Sequence, residues 1–261
     1  MPSIGLVLPT INERPNLEIL LPTLSLPSLP SSSASPLTLV IIIVDDGSTD
    51  GTVAWARAQQ LPWPITVIAR NHPQGLASAY YAGFQWLLRH GVTWIAQMDA
   101  DGSHRVQDWQ AMASHLLTHP EVDVLIGSRY IPGGSTPEWP WTRRLVSRAG
   151  GFYSRALLHY PIADWTSGLK FWRASLLAQY PWHRLHSTGF GFQIEMTYWA
   201  LQQRACVAEY PITFLPRHTG TSKFSFPIFW EAWQSVWRIA HEEAPPPLNT
   251  LASSRPPSPH S

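Results

Sequence analysis

The sequence contains little cysteine and little charge. Cys206 is the single cysteine among 261 residues, which excludes an intrachain disulfide and argues against a cysteine-based zinc site. Charged residues make up 13% of the chain, well below the ~25% of an ordinary soluble domain, and the formal net charge is +1. A charge balance this even gives no support for a nucleic-acid partner that is held by counterion release.

Long hydrophobic runs are absent as well. No stretch of about 18 apolar residues occurs, so we predict no transmembrane helix. The first residues lack a basic region followed by a cleavable apolar segment, so we expect no signal peptide and a cytoplasmic location. Proline and tryptophan, in contrast, are abundant, with 25 and 14 residues. The tryptophans favour large apolar pockets or contact with a membrane interface.

Apolar runs alternate with helix-like stretches up to about residue 130. Residues 37–44 are almost entirely Leu, Val and Ile, which is typical of a central parallel strand buried on both faces. The other predicted strands are 4–8, 65–69, 92–98 and 122–127, and the predicted helices fall within 12–24, 50–60, 76–90 and 106–118. This alternation predicts an α/β fold, with a Rossmann-like, mainly parallel sheet flanked by helices. After it we predict helices at 142–159, 176–180 and 191–204 and a strand at 207–214.

We divide the chain into three parts. Residues 1–225 form the α/β domain, which includes a flexible Ser/Pro-rich loop at 25–36. Residues 226–241 carry an apolar stripe at helical spacing, made of Phe229, Trp230, Trp233, Val236, Trp237 and Ala240. We predict an amphipathic helix there, which either packs on the domain or lies in a membrane interface. Residues 242–261 are Pro-rich and are predicted to be a disordered tail.

Polar clusters follow three of the predicted strands. They are Pro9 to Glu13, Asp45 to Ser48, and Asp99 to Asp101. In open α/β sheets ligands bind outside the carboxyl ends of the strands, so three clusters in register point to a binding site. Two carboxylates at i and i+2 can converge on one hard cation, and oxygen ligands suit Mg²⁺ or Mn²⁺. Such a metal would also neutralise a diphosphate leaving group.

Together these motifs resemble the inverting family 2 glycosyltransferases, which have the glycosyltransferase A-type fold. The motifs common to that superfamily lie at 8–13, 44–52 and 98–101. Further stretches are similar to those of the dolichyl- and polyprenyl-phosphate mannosyltransferases, at 75–80, 127–130, 164–170, 191–196 and 217–223. That branch transfers mannose from GDP-mannose to a lipid phosphate. The resemblance covers about residues 4–240 in the correct order.

The resemblance implies a role for each matching residue, with residues 1–225 as the catalytic domain. The nucleoside would be bound by Pro9, Asn12, Glu13, Asp45 and Asp46. The metal and the diphosphate would be bound by Asp99 and Asp101. The donor diphosphate and the acceptor phosphate would be bound by Arg129, Arg217 and Lys223, which with Asp101 form the catalytic set. The sugar and acceptor region would be lined by Asp164, Thr166, Ser167 and Gln193.

Two residues depart from the family pattern. Ser103 stands where a third metal ligand is expected, and a serine hydroxyl is a weak ligand. Lys170 stands where arginine is usual, which gives a point charge without the planar guanidinium. His104 is either a phosphate contact or an ordinary hydrogen-bonded histidine.

The chemistry of a lipid phosphate acceptor explains a site rich in cations. Its second pKa is about 6, so at neutral pH it is largely dianionic and needs no general base. A single in-line displacement at the sugar C1, with a metal and cations stabilising the departing diphosphate, inverts the anomeric centre. An α-linked donor would then give a β-linked product.

The leading hypothesis is a metal-dependent inverting enzyme that transfers mannose from GDP-mannose to a polyprenyl phosphate at the cytoplasmic face of a membrane. The same transfer from UDP-glucose or another UDP-sugar is the alternative. A non-catalytic nucleotide-sugar-binding protein and a transferase with a soluble acceptor are the other interpretations. The basic cluster and the tryptophan stripe argue against the soluble acceptor. The need for an accessory membrane-spanning subunit is left open.

Overall fold

The computed structural model describes residues 2–27, 37–187, 189, 191–216, 234 and 236–241. Its strands are β1 Ser3–Thr10, β2 Thr38–Asp45, β3 Ile65–Ala69, β4 Trp94–Gln97, β5 Val124–Ser128, β6 Lys170–Arg173 and β7 Val207–Pro211. Its helices are α1 Arg14–Thr23, α2 Thr52–Arg57, α3 Leu76–Arg89, α4 Val106–Thr118, α5 Trp141–Leu158, α6 Ala174–Leu177 and α7 Gly191–Gln202, with a 3₁₀ turn at Trp182–Arg184.

The strands form one sheet in the order β3-β2-β1-β4-β6-β5-β7. All neighbours in this sheet are parallel except β6, which runs antiparallel to both β4 and β5. The predicted α/β fold with a mainly parallel sheet is confirmed.

Strand β2, which has a neighbouring strand on either side, shows why the sheet has helices on both faces. Its side chains alternate between two apolar cores, with Ile42 and Val44 in one and Ile41 and Ile43 in the other. All four side chains are fully buried. A strand that is buried on both faces has a continuous hydrophobic sequence, and the sequence of β2 is of this kind.

Helices cover each face with apolar stripes. On one face α3 presents Tyr80, Phe84 and Leu87, and α7 adds Phe192. On the other face α1 and α4 bury side chains at helical spacing, which include Leu17, Leu21, Trp109, Met112 and Leu116. The result is a three-layer arrangement that leaves the carboxyl ends of the parallel strands at one edge.

The sequence missed β6, and the short helix predicted at 176–180 lies at Ala174–Leu177 instead. Residues 170–173 form a strand of four residues, and the helix that follows it ends at Leu177. So short a strand has too few residues for a period, and its pairing with β4 and β5 is decided by distant residues. The strand predicted at 207–214 ends at Pro211, after which Thr213 and Phe214 form isolated bridges.

The predicted amphipathic helix at 226–241 lies partly outside the described residues. Residues 236–241 are helical, and Val236 and Ile239 are buried in the core that α3 and α7 line. Trp237 is exposed. The tail at 242–261 and most of the Ser/Pro-rich loop at 25–36 are also outside the described residues. Within the described part of the chain, no helix has the length and apolar character needed to cross a membrane.

Candidate active site

The three polar clusters predicted from the sequence lie side by side at one edge of the sheet. Strand β1 pairs with β2 on one side, with Thr10 opposite Asp45, and with β4 on the other, with Val7 opposite Gln97. Asp99 follows two residues after that pair. The chain order reverses between β1 and β4, which is the position where open α/β sheets form a ligand crevice.

Asp45 holds the turn after β2 rather than projecting from it. Its carboxylate is 1% exposed and accepts hydrogen bonds from Thr10 Oγ1, from the Ser48 hydroxyl and from the backbone N–H groups of Gly47 and Ser48. Asn12, two residues after the end of β1, is hydrogen-bonded to this turn. Its Oδ1 accepts the Thr49 N–H at 2.8 Å. Asn12 itself has a positive φ of 56°, which asparagine tolerates.

Asp46 ties the same turn to the loop before α3. Its carboxylate pairs with Arg70 at 3.1 Å and accepts the backbone N–H groups of Gln74 and Gly75 at 3.0 Å. Glu13 accepts a hydrogen bond from Asn16 Nδ2, and Pro9 is half-buried near the end of β1. The structure thus gathers all five predicted nucleoside residues at one edge, and their contact with a nucleoside stays a prediction.

The turn after β4 carries the predicted metal ligands. Asp101 is buried, and its Oδ1 accepts the Ser103 N–H at 3.0 Å. The Asp99 Oδ1 accepts a hydrogen bond from the Tyr80 hydroxyl at 3.2 Å. Burial raises the pKa of Tyr80 well above its usual value, and the negative charges of Asp99 and Asp101 act in the same direction. Tyr80 therefore remains a neutral donor that orients Asp99.

Two buried polar side chains beside these carboxylates have no hydrogen-bond partner. They are Ser103, whose Oγ is unsatisfied, and His104, both of whose ring nitrogens are unsatisfied. His104 Nε2 lies 3.7 Å from Asp99 Oδ2, which is beyond hydrogen-bond distance. Buried polar groups without partners are rare, and these two directly follow the Asp99–Asp101 turn.

A divalent cation fits this set of donors. Within the residues that the structure describes, no three or more His, Cys, Asp or Glu side chains are grouped to hold a metal ion. Mg²⁺ ordinarily takes only one or two protein carboxylates and completes its octahedron with waters and substrate phosphates. Asp99 and Asp101 meet that requirement, and Ser103 Oγ offers an additional oxygen.

The loop before β6 enters the site because β6 runs antiparallel. An antiparallel strand among parallel neighbours brings its amino-terminal end to the edge where theirs end, so residues 164–169 lie beside Asp99. The contact is close at Gly168, where an added Cβ would be 2.8 Å from Asp99 Cγ. Any side chain at this position would displace the carboxylate.

Arg129, which follows β5, forms a buried ion pair with Asp164 in this loop. Arg129 Nε and Nη2 donate to the two Asp164 carboxylate oxygens at 2.7 Å, and Nη2 also donates to Thr166 Oγ1 at 2.9 Å. The guanidinium lies 5.3 to 5.4 Å from the ring centres of Tyr130, Trp139 and Phe214. A phosphate would therefore compete with Asp164 for part of the guanidinium.

The pKa shifts of this pair follow from its geometry. Burial alone would lower the pKa of Arg129, but the Asp164 carboxylate outweighs it and raises the pKa, with a smaller contribution from Asp99. Burial would raise the pKa of Asp164, but the Arg129 charge and hydrogen bonds lower it. Both groups are charged at neutral pH, and Arg129 is within electrostatic reach of Asp99, a predicted metal ligand.

Lys170 is completely buried behind this pair. Its ammonium donates to the Gln193 carbonyl at 2.9 Å, to Thr197 Oγ1 at 2.8 Å and to the Trp165 carbonyl at 3.3 Å. Burial lowers the pKa of Lys170 to about 7, and Arg129 adds to this, whereas Asp164 and Glu209 oppose it. Gln193 is also buried, and its Oε1 accepts from Gln97 Nε2 at 2.7 Å. Both residues therefore support residues 163–169, which we name the sugar-side loop because the resemblance assigns Asp164, Thr166 and Ser167 to the sugar and acceptor region.

Of the remaining predicted residues, the structure describes Ser167 but not Arg217 or Lys223. Ser167 is buried and contacts the Leu169 backbone. Arg217 and Lys223 lie outside the described residues. The described chain approaches the site just before Arg217, because the Leu215 N–H donates to the Ser103 carbonyl at 2.9 Å and Phe214 packs edge-on against His104 at 5.1 Å.

Sequence reasoning missed two residues that order this site. Glu209 on β7 accepts the backbone N–H groups of Ala163 and Asp164 at 2.8 and 2.9 Å, which fixes the start of the sugar-side loop. The sequence feature that could have identified Glu209 is a carboxylate within a short apolar strand. Tyr80 ends the similar stretch at 75–80, but it received no role because an aromatic residue on the apolar face of α3 is typical of a core position.

Comparison with known proteins shows the family to which the chain belongs. The sequence model of glycosyl transferase family 2 matches residues 6–180. The polyprenol monophosphomannose synthase of Mycolicibacterium smegmatis is 40% identical over 223 residues, which are 84% of this chain and 80% of that protein. The undecaprenyl-phosphate mannosyltransferase of Micrococcus luteus is 36% identical over 233 residues, 89% of this chain and 91% of that protein.

More distant proteins share the fold. The dolichol-phosphate mannosyltransferase of Pyrococcus furiosus is 30% identical over 240 residues, 90% of this chain and 63% of that protein. The crystal structure of glucosyl-3-phosphoglycerate synthase from Mycobacterium tuberculosis with Mn²⁺, UDP-glucose and phosphoglyceric acid superimposes with a TM-score of 0.63 at 16% identity, over 92% of this chain and 80% of that one. The likeness to that structure establishes the glycosyltransferase A-type fold. The chain therefore belongs to glycosyl transferase family 2, among the relatives of polyprenyl-phosphate mannosyltransferases.

Proposed function

We propose that this protein transfers mannose from GDP-mannose to a polyprenyl phosphate, giving polyprenyl phosphate mannose and GDP. The observation that carries the proposal is the Asp99–Asp101 turn, with two unsatisfied buried polar side chains beside it and a paired arginine facing it. Two relatives that are named for mannose transfer to a polyprenyl phosphate, at 40% and 36% identity, support the choice of substrates.

The metal is proposed to be Mg²⁺ or Mn²⁺, held by Asp99 and Asp101. A bound divalent cation would supply positive charge to the diphosphate leaving group. Tyr80 orients Asp99 through its hydroxyl, and the Gly168 backbone limits the positions that the carboxylate can take. Structures of glucosyl-3-phosphoglycerate synthase, which has the same fold, were solved in complex with Mn²⁺ and UDP-glucose and with Mg²⁺ and UDP, which supports a divalent cation in this type of site.

The reaction is proposed to be one displacement with inversion. An oxygen of the lipid phosphate forms a bond to C1 of the sugar while the bond from C1 to the diphosphate oxygen breaks. The dianionic acceptor needs no general base, so the protein must instead bring two anions together. Arg129 faces this region, and the motifs that contain Arg217 and Lys223 would supply further cations. Asp164 and Thr166 fix the Arg129 guanidinium.

Transfer from UDP-glucose is the second candidate for the donor. The residues proposed to hold the nucleoside, including Asn12 and Asp46, are mostly engaged in turns by their side chains, so they do not discriminate guanine from uracil by themselves. The mannose-transferring relatives favour GDP-mannose.

A transfer assay tests the proposal. Purified protein would be incubated with Mn²⁺ or Mg²⁺, a polyprenyl phosphate in detergent, and labelled GDP-mannose or UDP-glucose in parallel. We expect label in the lipid product from GDP-mannose alone, loss of product on chelation, and recovery when either metal is returned. Asp101→Ala should lose at least about a hundredfold in rate. The control is Glu18→Gln, which removes an exposed carboxylate of α1.

Two outcomes would change the proposal. Lipid product from UDP-glucose alone would keep the reaction type and replace the donor. Full activity of Asp101→Ala in the presence of a chelator would remove the metal from the mechanism. NMR of the anomeric carbon of the product decides between inversion and retention.

A further inference from the structure

Helix α5 presents an apolar face to solvent, and we propose that this face docks the protein on an anionic lipid bilayer. The proposal rests on the proposed function to the extent that the acceptor is a membrane lipid. It assigns the docking surface to α5 rather than to the predicted helix at 226–241.

The exposure of α5 is unusual for a helix of a folded domain. Trp141 is 73% exposed, Leu145 is 61% exposed and Phe152 is 71% exposed. Among the described residues, seven large hydrophobic side chains are exposed, and four of them belong to α5, Val146 being the fourth. Only Ser154 and Leu158 of this 18-residue helix are buried. Concentrated exposure of this kind marks an interaction surface, whereas scattered exposure does not.

Three of the four exposed side chains form one stripe, and Val146 lies outside it. At 3.6 residues per turn, Trp141, Leu145 and Phe152 project within about 40° of one another. Arg144, Arg148 and Arg155 project in the adjoining sector, also within about 40°. A stripe of Trp, Leu and Phe bordered by arginines is the pattern of a helix that lies in a membrane interface. Arginine side chains at such a border can extend their charged ends to lipid phosphates.

Charge decides between the candidate partners. Helix α5 contains four arginines, Arg143 included, and no acidic residue. A symmetric pairing of two copies through this face would place like charges together. Residues 217–233 of this chain carry Arg217 and Lys223 against a single acid, Glu231, so they do not complement the face either. Anionic lipid does complement it.

The inner side of α5 contacts the candidate active site. The Tyr130 hydroxyl, next to Arg129, donates to Ser147 Oγ at 2.5 Å. Arg143 stacks on the Trp139 ring at 3.8 Å, and Trp139 in turn lies beside the Arg129 guanidinium. A bilayer on the outer side of α5 would therefore lie one helix diameter from the cations proposed to bind the lipid phosphate. This placement would let the acceptor headgroup reach the site while its chain stays in the membrane.

Vesicle sedimentation with the full-length protein tests the apolar stripe. The probes are vesicles of phosphatidylcholine alone and of phosphatidylcholine with about one-third phosphatidylglycerol, without acceptor lipid. We expect binding to the anionic vesicles. Trp141→Ser combined with Phe152→Ser should reduce the partition coefficient by at least about tenfold. Ile19→Ser is the control, since it removes an apolar side chain of α1 that is 55% exposed.

The basic border has its own test. Arg148→Gln combined with Arg155→Gln should weaken binding to the anionic vesicles by at least about tenfold, with little effect on neutral ones. Arg57→Gln, at an exposed position of α2, is the control. The effect should fade in high salt, because salt screens exposed charges.

A single-site probe locates the contact. Because Cys206 is the single cysteine, Cys206→Ser allows a label to be placed by Leu145→Cys or, as a control, by Ile19→Cys. An environment-sensitive fluorophore at position 145 should shift to the blue with anionic vesicles, and one at position 19 should not.

Three results would overturn the proposal. One is vesicle binding that is unchanged in the Trp141→Ser/Phe152→Ser protein. Another is a concentration-dependent dimer, lost in that variant, without vesicle binding. The last is a fluorophore at position 145 that is already in an apolar environment without vesicles, which would show that part of this chain covers α5.

The proposed function can fail separately. Transfer to a water-soluble short-chain polyprenyl phosphate should be unchanged in the Trp141→Ser/Phe152→Ser protein. Activity on that acceptor without vesicle binding contradicts the docking proposal alone. Vesicle binding that depends on α5, without transfer to any acceptor, contradicts the proposed function alone.

Discussion

Gly168 illustrates how a single missing side chain shapes the turn that carries Asp99 and Asp101, the proposed metal ligands. Its backbone lies against Asp99, and an added Cβ would be 2.8 Å from Asp99 Cγ and 3.0 Å from Oδ1. The carboxylate belongs to a short side chain with few alternative rotamers, so it must move when a methyl group is added. The glycine thus sets the position of the Asp99 carboxylate, a proposed metal ligand.

Gly168→Ala should therefore reduce activity more than stability. A displaced catalytic group costs about a hundredfold in rate when the shift is near 1 Å, so we expect a loss of that order and weaker Mn²⁺ binding. Rates and Mn²⁺ titrations would be compared with those of Gly150→Ala, where an added Cβ meets nothing within 4 Å. Wild-type Mn²⁺ affinity in Gly168→Ala would contradict this account of Asp99.

Lys170 makes folding stability depend on pH. The folded protein releases the Lys170 proton at about pH 7, whereas the unfolded chain keeps it up to the ordinary value of 10.5. Between these values the unfolded state binds the additional proton, so the free energy of unfolding rises with pH. Below about pH 7 the folded protein must bury a charged ammonium, and this contribution is unfavourable.

We expect wild-type stability, measured relative to Lys170→Met, to rise by about 1 kcal/mol per pH unit above neutrality. Denaturant unfolding of both proteins from about pH 6 to about pH 9 measures the difference and cancels the other titrating groups. A difference that stays flat over this range would mean that Lys170 keeps its charge in the folded state.

At the scale of elements, α3 and β1 fit together through two glycines. A Cβ at Gly83 on α3 would be 2.9 Å from Val7 Cγ2, and one at Gly5 on β1 would be 2.6 Å from Leu87 Cδ1. Each glycine accommodates an apolar side chain of the other element, which brings the helix close to the strand. The β-branched Val7 has little rotamer freedom with which to move away.

Gly83→Ala should thus destabilise the protein by about 1–3 kcal/mol, even though alanine is the better helix former. The same substitution at Gly150, in the exposed part of α5, should stabilise by about 0.5–1 kcal/mol. Urea unfolding of the two variants gives effects of opposite sign if close packing dominates at Gly83. A gain in stability at both positions would show that the Val7 side chain can move away from the added methyl group.

The strands differ in how well the sequence predicted them. Strand β2 is a long apolar run between turn residues, and its prediction is confirmed to within one residue at either end. Strand β6 has four residues and no periodic pattern, and its direction depends on β4 and β5, which are far away in the sequence. A local pattern cannot specify a pairing of this kind.

At the scale of the whole molecule, the site joins elements from both halves of the chain. The Asp99–Asp101 turn follows β4, its neighbour Gly168 precedes β6, and the Leu215 N–H donates to the Ser103 carbonyl. Ligands that bridge these segments should stabilise the folded protein as a unit, since they bind the folded state alone.

We expect GDP with Mn²⁺, at about a hundred times its dissociation constant, to stabilise the protein by about 2.7 kcal/mol. Thermal unfolding with GDP alone, Mn²⁺ alone and both together would show a larger shift for the pair than for the sum. Asp101→Ala should abolish the additional shift, and Glu18→Gln should retain it. The same additional shift in Asp101→Ala would place the metal elsewhere.

The sequence by itself determined six of the seven described strands, their helical cover and the clusters at the strand ends, because burial on two faces and turn chemistry leave local patterns. The pairing of Arg129 with Asp164, the close contact of Gly168 with Asp99 and the direction of β6 were decided by tertiary structure, since each joins residues more than thirty positions apart. The exposed stripe of α5 belongs to the same class. Its spacing predicted a helix, but only packing decided which of its faces stayed uncovered.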